Sequence, residues 1–168
     1  SDGNMALVGA YFEDPSGPSS ARSAYVFTRS SGTWTQQQKI IASDAQAYVE
    51  FGYSVSLSSD GNTARIGAYR EGTGGTDAGA AYVFTRSSGT WTQQQKITAS
   101  DAEAYDNFGY SVSLSSDGNM ALVGAYFEDP SGLSSAGSAY VFTRSSGTWT
   151  QQQKITASDA QGGDYFGY

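Results

Sequence analysis

The sequence predicts an all-β chain built from three copies of one four-stranded antiparallel unit. Its clearest sign is a single period: Ser-Asp-Gly-Asn starts at Ser1, Ser59 and Ser116, Thr-Trp-Thr-Gln-Gln-Gln-Lys-Ile at Thr33, Thr90 and Thr148, and Phe-Gly-Tyr at Phe51, Phe108 and Phe166, a spacing of 57 to 58 residues. The composition, with 14% aromatic residues, 21 Gly and 12 Tyr, suits short strands and tight turns. No segment carries the sustained apolar stripe of a helix.

The first strand of a unit is read from Phe51 to Ser58, where Phe51, Tyr53, Val55 and Leu57 alternate with small polar residues and share one face. Ser59-Asp60-Gly61-Asn62 then predicts a tight hairpin, because Gly accepts the positive φ such turns require. The second strand, Ala6 to Tyr11 or Ala121 to Tyr126, is continuously apolar, as expected of a central strand covered on both faces. The third, Ala24 to Arg29, is rich in β-formers and is closed by Ser30-Ser31-Gly32. The fourth, Thr33 to Ile40, puts Trp34 and Ile40 on one face and is otherwise polar, which reads as an outer edge protected against aggregation. Residues 1–41 and 116–156 differ only at Pro18/Leu133, Arg22/Gly137 and Ile41/Thr156, which implies recent duplication.

A repeat of this length with four antiparallel strands matches one blade of a β-propeller, whose faces are buried against neighbouring blades. A linear β-solenoid is the structural alternative, although its coils are usually shorter and parallel. Residues 1–50 form blade 1, lacking most of its first strand; 51–107 form blade 2, 108–165 blade 3, and 166–168 begin a further strand. Closed propellers typically use about four to eight blades, so three are expected to belong to a larger ring or assembly. The blades then belong to a longer repeat protein, or several chains join their open ends into a ring or filament.

The composition also excludes functions. Without cysteine or histidine the chain has no disulfide framework, no thiolate metal site and no imidazole base. A formal charge of −7 and a pI near 4.3 argue against nucleic acid and favour cations or basic partners. No run is long enough to span a membrane, and Ser1 to Tyr11 lacks the basic and apolar regions of a secretion signal, which is expected to have been removed or to lie outside this chain.

Phe51-Gly-Tyr-Ser-Val-Ser-Leu-Ser58 followed by Ile66-Gly-Ala-Tyr69, or Val123-Gly-Ala-Tyr126, resembles the FG-GAP repeat, in a bacterial-type variant with Ala-Tyr-Val-Phe and Thr-Trp-Thr-Gln-Gln-Gln-Lys. The resemblance implies integrin-α-like propeller blades and a place outside the cell or on its surface. Many such repeats carry a calcium loop in the first hairpin. Here only Asp60 and Asn62, with Asp2/Asn4 and Asp117/Asn119 in the other copies, flank the Gly, too few for the six to eight oxygens calcium prefers, and a simple turn is expected. No cofactor is required; calcium is the one admitted.

Antiparallel order places the two short turns of every unit at one end and the long loops at the other. Variation and charge both collect in the long loops, which hold all the acidic residues except Asp2, Asp60 and Asp117, against only Arg22 and Arg70. Glu13, Asp14, Glu71, Asp77, Glu128 and Asp129, with Glu50, Glu103 and Asp106, are the candidate contacts for a cation or a basic partner; the plain reading is solvating surface charge. Asp44, Asp101 and Asp159 recur in Ala-Ser-Asp-Ala and are read as turn caps. Trp34, Trp91 and Trp149 are read as packing between blades before sugar stacking. A pair such as Glu13-Asp14 is the kind that hydrolyses glycosides, but nothing singles out one pair, and residues copied with the repeat serve the shared fold, so no enzyme is expected. The function expected is an extracellular adhesion or scaffold module that binds a protein or cell-surface partner through acidic loops and associates with itself through open blade ends, without membrane insertion. A self-assembling fibre or surface-layer component is the second reading, a carbohydrate-binding propeller the third.

Overall fold

The computed structural model describes residues 3–12, 22–44 and 48–168. Its strands are β1 (Met5–Ala10), β2 (Ser23–Ser30), β3 (Thr33–Ile40), β4 (Val55–Leu57), β5 (Thr63–Ala68), β6 (Ala80–Ser87), β7 (Thr90–Ile97), β8 (Ser111–Leu114), β9 (Met120–Ala125), β10 (Ser138–Ser145) and β11 (Thr148–Ile155), with one 3-10 turn at Pro130–Gly132. They form three antiparallel meanders: β1-β2-β3, β4-β5-β6-β7 and β8-β9-β10-β11. The fold is all-β, and the sheets are propeller blades. Each outer strand pair carries the same register shift, after Val26, Val83 and Val141, so one bulge geometry is repeated with the text.

Blades meet face to face, and strand alternation decides which residue serves which boundary. One core joins Ala24, Val26 and Ile40 of blade 1 to Ile66, Tyr82, Phe84 and Trp91 of blade 2. The next joins Val83 and Ile97 from the opposite face of blade 2 to Val123, Tyr140, Phe142 and Trp149 of blade 3. Phe51 and Phe108 seal the two boundaries edge-on to Tyr82/Phe84 and Tyr140/Phe142. Trp91 and Trp149 are buried as packing residues, in agreement with the sequence reading, while Trp34 stays 44% exposed on the open face of blade 1.

The first strand is shorter than the alternating pattern suggests. Phe51 to Ser54 is turn and bend, and pairing begins at Val55. The reason is Gly52, whose φ of +90° breaks the extended run and swings Phe51 into the boundary core. The Asp-Gly hairpin is a simple turn: Asp60 accepts from the Ser58 hydroxyl at 2.6 Å and the Asn62 N–H at 2.9 Å, the Gly61 N–H donates to the Ser58 carbonyl, and the Ser59 N–H and hydroxyl donate to the Ser116 carbonyl of the next blade.

The fourth strand differs most from its sequence reading as a solvated edge. Its glutamines fasten one blade to the next. Gln38 Nε2 donates to the Trp91 carbonyl at 2.9 Å while Gln38 Oε1 accepts from the Trp91 N–H at 2.8 Å, and Gln95 makes the same pair with Trp149 at 2.9 and 2.8 Å. Gln37 and Gln94 donate to the carbonyls of Gly89 and Gly147 in the following blade's turn. Gln93 and Gln151 reach back to accept from the N–H groups of Ser43 and Ser100. A side-chain amide carries both a donor and an acceptor, and so can complete the edge of a neighbouring strand. Gln95→Ala is expected to cost at least about 1 kcal/mol, because it takes the partner from both the Trp149 N–H and the Trp149 carbonyl; urea unfolding checks it, and an unchanged midpoint contradicts the clamp.

Candidate functional site

The long loops carry two kinds of acidic residue. The first kind is committed to internal pairs. Lys96 bridges Asp44 of the preceding blade at 2.8 Å and Glu71 of its own at 2.8 Å, and Lys154 bridges Asp101 at 2.8 Å and Glu128 at 2.6 Å. Asp44 and Asp101 are therefore ion-pair partners of the next blade's lysine, where the sequence reading made them caps of their own turns. Glu71 also accepts from the Thr73 N–H and hydroxyl, and Glu128 from the Ser138 hydroxyl, so both are buried and held. Glu50 is buried against Arg22 at 3.2 Å, with Arg70 at 3.9 Å, and burial raises its carboxyl pKa even so. Asp77 has a φ of +53° and contributes its carbonyl to the Asn107 N–H and side-chain amide. Glu13 and Asp14 lie outside the described residues.

The second kind meets at one place. Glu103 and Asp106 from the loop after β7, and Asp129 from the loop after β9, line a cleft of about 360 Å³ at the boundary of blades 2 and 3, together with Tyr105, Phe127 and Ser135. Its lining includes these three carboxylates and two aromatic rings, and no basic side chain. Tyr105 stands 61% exposed and is held by a left-handed backbone, φ +73°, and by donation of its N–H to the Thr76 carbonyl at 2.7 Å. Phe127 stacks edge-on against Tyr165 and lies tilted at 33° against Tyr126, 4.2 Å between ring centres. Asp129 is exposed and accepts from the Ser135 N–H at 2.6 Å, which fixes the loop around the 3-10 turn. Asp106 is buried beneath the floor and accepts from the Glu103 N–H at 2.8 Å. Burial pushes its carboxyl pKa up to about 6; the Glu103 N–H pulls the other way, and the charges of Glu128, Glu103 and Asp101 add to the rise.

Among the described residues this constellation occurs once. At the boundary of blades 1 and 2 the corresponding sequence positions are Gln46, Val49, Arg70 and Gly72 in place of Glu103, Asp106, Phe127 and Asp129. Glu103, Asp106 and Asp129 were candidates from sequence, whereas Tyr105, Phe127 and Ser135 were not. For Phe127 the signal was the departure from Arg70 of the other boundary; Tyr105 recurs as Tyr48 and gave no such signal. Beneath the cleft, tyrosines from the Phe-Gly-Tyr and Gly-Ala-Tyr segments form a band across the blades, with Tyr53, Tyr110 and Tyr126 in sequence at centroid distances of 4.7 and 4.2 Å. Negative charge beside exposed rings suits an ammonium or guanidinium group, which gains from the carboxylates and from the ring faces together. Among the described residues no group of three or more acidic side chains is placed to hold a metal ion.

The sequence pattern of the FG-GAP repeat matches residues 34–84, 91–142 and 149–168. No curated protein matches the chain in sequence. Among solved structures, the periplasmic gluconolactonase PpgL of Pseudomonas aeruginosa is similar, with a TM-score of 0.51 at 21% identity over 92% of this chain. The chain spans 38% of that protein's length, and at this identity the likeness concerns fold alone.

Proposed function

Because the chain belongs to the FG-GAP repeat family, with its blades serving as a rigid frame, we propose that it is a non-catalytic scaffold or adhesion module, exported to the cell exterior or surface, that binds the cationic side chains of a protein partner. One observation carries this reading. The repeated Trp, Gln and Lys side chains fasten blade 1 to 2 and blade 2 to 3, whereas Glu103, Asp106, Asp129, Tyr105 and Phe127 come together at one boundary among the described residues, where the Glu103 and Asp129 carboxylates serve no such contact. A lysine or arginine laid across Tyr105 and Phe127 meets Glu103 and Asp129 at the rim, and the ionised Asp106 below adds to the field.

The test is calorimetric titration with a short arginine-rich peptide at low and moderate salt. Saturable binding that weakens with salt is expected, and E103Q/D129N is expected to weaken it by roughly tenfold, about 1.4 kcal/mol. The pH dependence has a definite sign. With its pKa raised to about 6, Asp106 gains a proton as pH falls through that value and the cleft loses a negative charge, so affinity falls between pH 7 and pH 5. Binding indifferent to both carboxylates and to pH excludes the cleft as the site. Turnover of a lactone or glycoside by the chain excludes the non-catalytic part of the reading.

A further inference from the structure

The boundary between blades is a directional joint made twice in this chain, and the described residues also carry its two halves unjoined, one on blade 1 and one on blade 3. The leading half of a joint, on blades 2 and 3, includes a buried Trp, an aliphatic residue of the second strand and the first Gln of the triplet; on blade 1 these are Trp34, Val8 and Gln36. Val8 is 49% exposed where Ile66 and Val123 are fully buried, and Trp34 is 44% exposed where Trp91 and Trp149 are 3% and 2%. The trailing half, on blades 1 and 2, presents the third Gln, the Asp of Ala-Ser-Asp-Ala and a valine–isoleucine face. On blade 3 these are Gln153, Asp159, Val141 and Ile155, with Leu122 beside them 44% exposed. Both open halves keep the residue types of the made joints. Gln36 and Gln153 hold the positions of the first and third Gln of the made joints, so the open halves match in polar as well as apolar residue types.

We propose that the trailing face of blade 3 docks on the leading face of blade 1 of a second copy, repeating the internal joint between chains. The contact is head-to-tail and heterologous, so each copy keeps one half free for the next. The proposal is independent of the cationic ligand assigned to the cleft.

Sedimentation over a range of chain concentrations tests it. The parent chain is expected to associate, and Trp34→Asp, which blocks the leading face, or Leu122→Asp, which blocks the trailing face, to weaken association by at least about tenfold. Mixing the two variants is expected to give a one-to-one pair and nothing larger, because only one intact half of each kind remains. Circular dichroism verifies that each variant folds. A second route is Val8→Asp, on the leading face beside Trp34, which is expected to weaken association likewise and to pair with Leu122→Asp when the two are mixed. A parent chain that stays monomeric, blocked variants that fail to pair when mixed, or association untouched by either substitution overturns the proposal.

Discussion

Gly109→Ala is expected to destabilise the chain by about 4 kcal/mol, or to prevent folding altogether, although it adds one methyl group. Two costs add at this position. The backbone has a φ of +89°, which a residue with a Cβ adopts at an expense of about 1–3 kcal/mol. The new Cβ also lies 2.2 Å from the Ala80 carbonyl oxygen and 3.3 Å from the Ala68 nitrogen, both backbone atoms of strands already paired in blade 2. Relief requires the blades to part, and with them the core that holds Phe108, Val123 and Tyr140; overpacking of this kind adds about 1–3 kcal/mol. Gly89→Ala is the matched control. Its φ is +83°, but the nearest atom to a new Cβ is the Gln37 amide nitrogen at 3.8 Å, so only the conformational cost of about 1 kcal/mol applies. Urea midpoints of the two variants separate the terms, and equal losses show that blades do not approach through Gly109.

The same contact explains why the Phe-Gly and Gly-Ala segments were the most legible feature of the sequence. Gly52 lies against Gly9, Gly109 against Gly67 and Gly167 against Gly124, each at a distance that leaves no room for a Cβ. Ser54 and Ser111 fasten two of these approaches by donating to the Gly109 and Gly167 carbonyls at 2.8 Å. A residue type imposed by backbone geometry must recur with the geometry, and so the period could be read from sequence alone. The glutamines recur equally well, yet their role was not legible. Within one blade they are polar residues on an outermost strand, and the Trp backbone that Gln38 completes lies 53 residues further along. Polarity at an edge signals solvent unless the neighbouring edge is known.

The acidic loops show the opposite limit. Composition located the charge correctly, at the end of the blades where the copies diverge, but charge alone could not divide Glu71 and Glu128, locked to Lys96 and Lys154, from Glu103 and Asp129, which face the cleft. The division depends on which acid the lysine of the same blade's fourth strand reaches. It also depends on loop residues with left-handed backbones, such as Tyr105 and Asn107, that turn the chain where no Gly announces a turn.

Arg65 breaks the repeat at a buried position, and its removal is expected to strengthen the fold. It stands in β5 where the other copies have Leu7 and Leu122, it is fully buried, and it faces blade 3 with its guanidinium 4.4 Å from the ring centre of Trp149 and 5.8 Å from that of Phe142. None of its three guanidinium nitrogens has a hydrogen-bond partner among the described residues, and burial pushes its pKa down. The charge contacts two rings and no carboxylate. A cation over a desolvated indole gains about 2 kcal/mol, less than the several kcal/mol lost when a guanidinium leaves water without an anion to meet it. Leucine occupies the position in both other copies, packs as Leu7 at the boundary of blades 1 and 2, and returns about 2 kcal/mol of apolar burial. Arg65→Leu is therefore expected to raise stability by about 2 kcal/mol, read as a later urea midpoint at unchanged slope. The gain should also be larger than that of Arg65→Met, whose unbranched chain fills the space left between Phe142 and Trp149 less specifically. An earlier midpoint for Arg65→Leu shows that stacking on Trp149 outweighs desolvation, and makes the arginine the element that holds blades 2 and 3 in register.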